Sequence, residues 1–229
     1  MTELILLRHG ETAWNRELRF QGQVDVPLNE VGCEQARRAG SALAAIDSIN
    51  AIVSSDLQRA RQTAELVAHR LGLRVELDRA LREQAFGQAD GLSVPELQER
   101  HPEAWDRWLQ FDATYAFPGT AESAIRFSDR ILGALVGIAN RYPVQRVLIV
   151  THGGVLDMVY RTATKQPLSG PRQCSIPNAA INRVAFELRA GVISAEILEW
   201  ANITHLDGMP AQPTYDQLRL LNSSSPNSL

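Results

Sequence analysis

The chain has 229 residues, 45% hydrophobic and 21% charged, with a formal net charge of −3. That fits one substantial α/β domain, or at most two small ones, in a soluble globular protein. The acidic balance argues against a nucleic-acid partner, the two cysteines (Cys33 and Cys174) against a disulfide framework or a cysteine metal site, and the lack of an 18-residue apolar run against a membrane span.

Residues 2–7 predict a fully buried strand, because their apolar side chains are consecutive rather than alternating. The chain enters this strand without a charged n-region, apolar h-region and cleavage site, so a reducing, cytoplasmic setting is expected. Residues 29–46 predict a helix with Val31, Ala39, Leu43 and Ile46 near one face, and residues 51–53 a second buried strand. Residues 55–71 read as the clearest helix, with Leu57, Ala60, Ala64, Val67 and Leu71 at helical spacing. Ser55 with Gln58 reads as its capping box and Gly72 as its stop. Residues 75–77 predict a third strand. A second capping box, Ser93 with Glu96, opens a helix that stops near His101-Pro102. An aromatic stretch follows (Trp105, Trp108, Phe111, Tyr115, Phe117), read as a packing cluster with a substrate lid as the second reading. Residues 122–142 predict a long helix, 147–150 a fourth buried strand and 153–164 another helix. Strands at 182–188 and 192–200, joined by a turn at Gly191, end the pattern.

Alternating strands and helices predict an α/β three-layer sandwich. Its central sheet would be mostly parallel, with an antiparallel edge strand and helices on both faces. One catalytic domain is expected over 1–206, with a lid-like insertion at about 84–122. Residues 207–229 read as a tail, unpacked from about Asn222. The sequence sets no oligomeric state, a homodimer being one option.

Ligands of open α/β sheets bind outside the carboxyl ends of the strands. The first strand delivers Arg8, His9 and Gly10, the second leads through Ser54-Ser55-Asp56 to Arg59, and the fourth ends at Thr151-His152-Gly153-Gly154. Arg59 lies off its helix's apolar face, so packing does not explain it. Two arginines, two histidines and two helix N-termini aimed into one crevice make an anion site. Guanidinium groups beside the histidines would repel a divalent cation, and neither a metal-ligand spacing nor a Walker loop occurs, so no metal is expected. His9 could then attack phosphorus as a neutral imidazole. His69, His101 and His205 lack convergent partners and read as surface or structural residues.

Four blocks resemble the histidine phosphatases, or phosphoglycerate-mutase-like superfamily: Arg8-His9-Gly10-Glu11-Thr12-Ala13-Trp14-Asn15 with Gln21-Gly22; Ser54-Ser55-Asp56-Leu57 through Arg59-Ala60 and Gln62-Thr63; Leu81-Arg82-Glu83; and Thr151-His152-Gly153-Gly154. The resemblance covers nearly the whole chain. It implies His9 as the nucleophile that becomes phosphohistidine, Arg8, Asn15, Arg59 and His152 as phosphoryl-binding groups, and Glu83 as proton donor. Gln21, Gly22 and Gly153 fall at the substrate-binding positions, and no cofactor is implied. Glu83 is singled out by the family pattern alone.

The expected activity is metal-independent hydrolysis of a small phosphorylated metabolite, similar to that of the family's small bacterial phosphatases. Mutases of the family carry a basic insertion after the proton donor, whereas here Arg100 and Arg107, with His101 between them, are the cations between Glu83 and Arg126. A phosphoglycerate mutase dependent on 2,3-bisphosphoglycerate is the enzymatic alternative, and a catalytically silent phosphate-binding module the non-enzymatic one. Two departures from the phosphatase pattern, Ala89-Asp90-Gly91 and Pro118-Gly119-Thr120-Ala121-Glu122-Ser123, fall near the expected substrate rim and bear on which metabolite is taken.

Overall fold

Leu4, Ile5, Leu6 and Leu7 are all fully buried, because the first strand lies inside the sheet with helices on both sides. The computed structural model describes residues 1–46 and 48–213. In chain order its elements are β1 (Thr2–Arg8), α1 (Ala13–Arg16), α2 (Glu30–Leu43), β2 (Ile49–Ser54), α3 (Gln58–Leu71), β3 (Val75–Leu77), α4 (Val94–Arg100), α5 (Pro102–Trp108), α6 (Ala124–Arg141), β4 (Arg146–Thr151), α7 (Gly153–Thr164), β5 (Ile181–Arg189) and β6 (Val192–Asn202).

The strand order is β3-β2-β4-β1-β5-β6. β1, β2, β3 and β4 pair in parallel, β5 runs against β1, and β6 turns back along β5 as the outermost strand. Leu4 and Leu6 face a core built on Phe127, Ile131 and Leu135 of α6 and Val155 and Val159 of α7. Ile5 and Leu7 face Ala39 and Leu43 of α2 and Ala60, Ala64 and Val67 of α3. This is the expected three-layer sandwich, and burying each large β1 side chain contributes ~1.5–3 kcal/mol.

The local signals act unevenly. Asn29 caps α2 by accepting from the Gly32 amide, and Ser93 and Glu96 form a reciprocal capping box on α4. Gly72, at φ +68°, ends α3 in the left-handed region that glycine tolerates. The capping box expected from Ser55 and Gln58 does not form. α3 starts at Gln58 behind Leu57, which supplies no capping side chain. The Gln58 amide instead donates to Asp25 Oδ1 at 2.6 Å, from a distant loop. α1 carried no expectation, being a single turn. At His101-Pro102 one helix ends and another begins, with Pro102 in the first turn of α5, where its missing amide costs nothing.

The 84–122 segment packs around an aromatic core that it shares with Phe20. Phe20 stands edge-on to Phe86 and Trp108, both at 5.4 Å, with Trp105 and Phe117 buried in the same cluster. Beyond residue 206, Met209 packs against the α2–α3 core and the Asp207 carbonyl accepts from Arg38. The tail from about Asn222 lies outside the described residues. Among the described residues, no helix is long and apolar enough to cross a membrane.

Candidate active site

The parallel register of β1 and β4 pairs Arg8 with Thr151, so the next residues, His9 and His152, leave the sheet side by side. The His9 amide donates to the Thr151 carbonyl at 2.9 Å, and the two imidazole rings stand 5.3 Å apart. His9 Nδ1 lies 2.7 Å from the Gly10 carbonyl. A carbonyl only accepts, so Nδ1 carries the ring proton and Nε2 keeps its lone pair. Burial, with the charges of Arg59 and Arg8, holds the His9 pKa well below its ordinary value. The ring is a neutral base.

His152 is held the same way. Its Nε2 lies 2.8 Å from Ser55 Oγ, which also accepts from the Leu57 amide. Where the Ser55 hydroxyl gives its proton to Nε2, Nδ1 bears the ring proton; Nδ1 is buried with no partner among the described residues. Burial first, then Arg59, keeps His152 neutral as well.

The two arginines are fixed by backbone. Arg59 is fully buried, donating from Nη1 to Val24 and from Nη2 to Gly22, each at 2.8 Å. Arg8 donates from Nη1 to the Ile176 carbonyl. Burial lowers both to about 10, so both stay charged at neutral pH, and each keeps a buried Nε without a partner among the described residues. Such donors, orphaned inside a cleft, are groups awaiting an anion.

Close approaches set the rest. Gly10 and Gly32 meet face to face: a Cβ on Gly10 would stand 2.3 Å from the Gly32 oxygen, and one on Gly32 2.1 Å from the Glu11 oxygen. The buried Glu11 carboxylate accepts from Arg16 and Asn29, each at 2.8 Å, tying the loop to α1 and α2. Gly22, at φ +48°, has the Asp90 carboxylate lying where a side chain would be. Glu83 Oε1 accepts from the Gln84 amide at 2.9 Å, and its Oε2 accepts from the Gly154 amide, in the first turn of α7.

A cleft of about 320 Å³ opens over this floor. Arg8, His9, Asn15, Gln21, Gly22, Arg59, Glu83 and Gly153 all line it, so the structure brings these sequence candidates together. His152, whose ring lies 5.3 Å from that of His9, is not among the lining residues. Trp14, Phe20, Phe86, Trp108, Phe111 and Tyr115 form aromatic walls, so part of the aromatic stretch both packs internally and faces the cleft. Arg107 stacks over Tyr115 and Arg100 lies beside Glu96, so neither cation of that segment reaches the floor. Among the described residues, no group of three or more His, Cys, Asp or Glu side chains could hold a metal ion.

This geometry, with a histidine and two arginines lining one cleft, agrees with the sequence match to the histidine phosphatase superfamily (branch 1), which spans residues 4–196. The chain belongs to that superfamily. Among its relatives, a phosphoglycerate mutase-like protein 4 of Arabidopsis thaliana is 36% identical over 90% of this chain and 87% of its own. A metal-independent phosphoserine phosphatase of the same plant is 34% identical over 91% and 85%. The solved Bacillus stearothermophilus YhfR superposes with a TM-score of 0.79 at 32% identity, over 90% of this chain and all of that one. A mycobacterial glucosyl-3-phosphoglycerate phosphatase solved with VO3 gives 0.74 at 31%, over 88% and 99%.

Several residues of this histidine phosphatase site were not singled out by the sequence. Ser55 and Thr63, whose Oγ1 accepts from the Gly10 amide, lie inside the matched blocks, but Ser55 reads there as a cap and Thr63 carries no role of its own. Asn178 donates to the His9 carbonyl at 3.0 Å and to Asn15 Oδ1 at 3.3 Å, from a loop with no motif. Arg130 reaches from α6 to the carbonyls of Ala80, Arg82 and Glu83 while paired with Glu122. A hydrophobic-face count on α6 leaves it merely polar.

Proposed function

We propose that this histidine phosphatase hydrolyses a small phosphorylated metabolite, without a metal, through phosphohistidine on His9. The observation that carries the reading is the His9 ring: kept neutral, locked by Gly10 through Nδ1, and lining one cleft with the Arg8 and Arg59 guanidiniums. Nε2 attacks phosphorus as the ester P–O bond breaks. Glu83, entering protonated, gives its proton to the leaving alkoxide. In the second half Glu83 takes a proton from water, whose oxygen forms the new bond to phosphorus and releases His9 and inorganic phosphate. Such acid–base assistance is typically worth ~10²–10⁴-fold. Arg8, Arg59 and the Nδ1–H of His152 would hold the phosphoryl oxygens, their fixed positive charge doing what a metal does elsewhere. Once a dianionic ester is bound, its field opposes that of the two arginines and favours His152 as a donor.

Water is favoured as the acceptor because Arg100 and Arg107 of the 84–122 segment are engaged away from the floor. A mutase reading draws on relatives such as the probable phosphoglycerate mutase GpmB of Cronobacter sakazakii, 34% identical over 96% of this chain and the whole of its own. A monoester panel with EDTA, run on wild type and His9→Ala, separates these readings. Phosphate release that survives the chelator and vanishes with His9 is expected, with acid-labile phosphate trapped on the wild type. Isomerisation of phosphoglycerates that requires 2,3-bisphosphoglycerate would favour the mutase. No release from any ester, with His9→Ala indistinguishable, would end the phosphatase reading.

A further inference from the structure

After β6 the chain comes back to the cleft. Leu206 packs into the α2–α3 core, and beyond it Gln212 lines the cleft together with Asn178. Gln212 lies outside the span matched to the family, residues 4–196. Its carboxamide takes both backbone groups of Asn178. The Asn178 amide donates to Gln212 Oε1 at 2.6 Å, and Gln212 Nε2 donates to the Asn178 carbonyl at 3.0 Å. A carboxamide turned the other way would set donor against donor and acceptor against acceptor, so the orientation is fixed.

The corner that Gln212 grips is strained and faces the nucleophile. Ala179 is fully buried at φ +54°, a left-handed conformation that alanine keeps only where its surroundings impose it. His205 Nε2 donates to the Ala179 carbonyl at 3.0 Å, and the Ala179 amide donates to the Arg8 carbonyl at 3.1 Å. Asn178 is buried too, and its side-chain amide donates to the His9 carbonyl at 3.0 Å and to Asn15 Oδ1 at 3.3 Å. Asn15 Oδ1 also accepts from the Thr12 amide at 3.0 Å. With donors on that side, the Asn15 NH2 is the end left to serve the cleft, and a donor is what a phosphoryl oxygen requires.

We propose that Gln212 is a positioning residue for the phosphoryl group: by clamping Asn178 it fixes the Asn15 carboxamide that meets the anion. The inference rests on the phosphatase reading for the anion itself and extends the site beyond the matched span. Without the clamp, the ligand has to order Asn15 as it binds, and immobilising one such side chain is worth roughly 2–10-fold in affinity. Linkage makes the effect reciprocal, so a bound anion holds the clamp shut by a like factor.

Calorimetric binding of inorganic phosphate to the full chain tests it, on wild type, Gln212→Met, Asn15→Ala and the double variant. Methionine keeps the length and bulk of Gln212 but makes neither hydrogen bond. Gln212→Met should raise the Kd roughly 2–10-fold, and adding it to Asn15→Ala should cost nothing further. Losses that add in the double variant would overturn the relay, because Gln212 would then act by a route other than Asn15. A fall in binding sites per chain at unchanged Kd would make Gln212 structural only. Hydrogen exchange on the wild type gives a second reading that needs no variant: saturating phosphate should slow exchange of the Asn178 amide by a like factor, and an amide indifferent to phosphate would also overturn the relay. Failure of the wild type to bind phosphate would overturn the phosphatase reading along with it, whereas wild-type binding that Gln212→Met leaves unchanged overturns the relay alone.

Discussion

The Glu83 carboxylate rests on the first turn of α7, its Oε2 accepting from the Gly154 amide at 3.0 Å. A Cβ on Gly154 would stand 2.2 Å from Glu83 Oε1, so only glycine admits the carboxylate there. Gly154 is thereby committed to making room for the Glu83 carboxylate. Glu83→Gln should lower kcat ~10²–10⁴-fold for alkyl phosphates. The loss should be far smaller for p-nitrophenyl phosphate, whose leaving group departs without a proton. Kinetics over a series of leaving-group pKa values checks this, and an equal loss across the series would remove Glu83 from the first step.

Arg130 holds the Glu83 backbone and is not among the residues that line the cleft. Its guanidinium grips the Glu83 carbonyl at 3.2 Å and the Glu122 carboxylate at 2.6 Å. Arg130→Gln should reproduce the leaving-group dependence of Glu83→Gln in weaker form, with KM nearly unchanged and with Arg130→Lys partly restoring kcat. A uniform fall in activity that tracks loss of folded protein would instead make Arg130 a structural residue only.

Both active-site histidines should be neutral at pH 6 in the free enzyme, since burial and the neighbouring arginines disfavour the imidazolium. Nitrogen-15 spectra of histidine-labelled protein should show His9 as the Nδ1–H tautomer, the less common form in water. A protonated His9, or a proton on Nε2, would contradict the arrangement. The sign for stability follows: the unfolded chain takes up protons near pH 6.5 that these two folded-state rings refuse. Their contribution therefore destabilises the fold as pH drops below that value.

Asp90 behaves oppositely. Burial is the main cause of a rise from 3.8 to about 6, only partly offset by the Phe86 amide and Arg59. Between those values the folded chain holds a proton that the unfolded chain has lost. The Asp90 contribution therefore turns against the fold as pH rises from about 4 to 6 and is constant above that. The melting temperature of Asp90→Asn, relative to wild type, should rise across that window and then level off. A difference independent of pH would show that Asp90 is not titrating there.

The sheet and its flanking helices were legible because period and composition agree there. Leu4 to Leu7 have no polar alternation, α3 repeats its apolar residues at helical spacing, and Gly72 and Ser93 act locally. The His9–His152 meeting was legible only as a strand-end rule; the register of β1 on β4 makes it an actual contact. Ser55 was misread because a capping pattern and a histidine partner look alike in sequence, and the distant Asp25 took the capping role. Arg130 and Asn178 act across long sequence separations, through backbone carbonyls, and no periodicity reports that.

The facing glycines Gly10 and Gly32 have a consequence for how the enzyme fails. With no side chain between them, the nucleophile loop cannot loosen without lifting the first turn of α2, and Glu11 ties the same loop to Arg16 and Asn29. Local opening of the loop is therefore coupled to opening of a core-packed layer. Hydrogen exchange at the Gly10 and Glu11 amides should track the slowest-exchanging amides of α2, and inactivation on heating should coincide with global unfolding instead of preceding it.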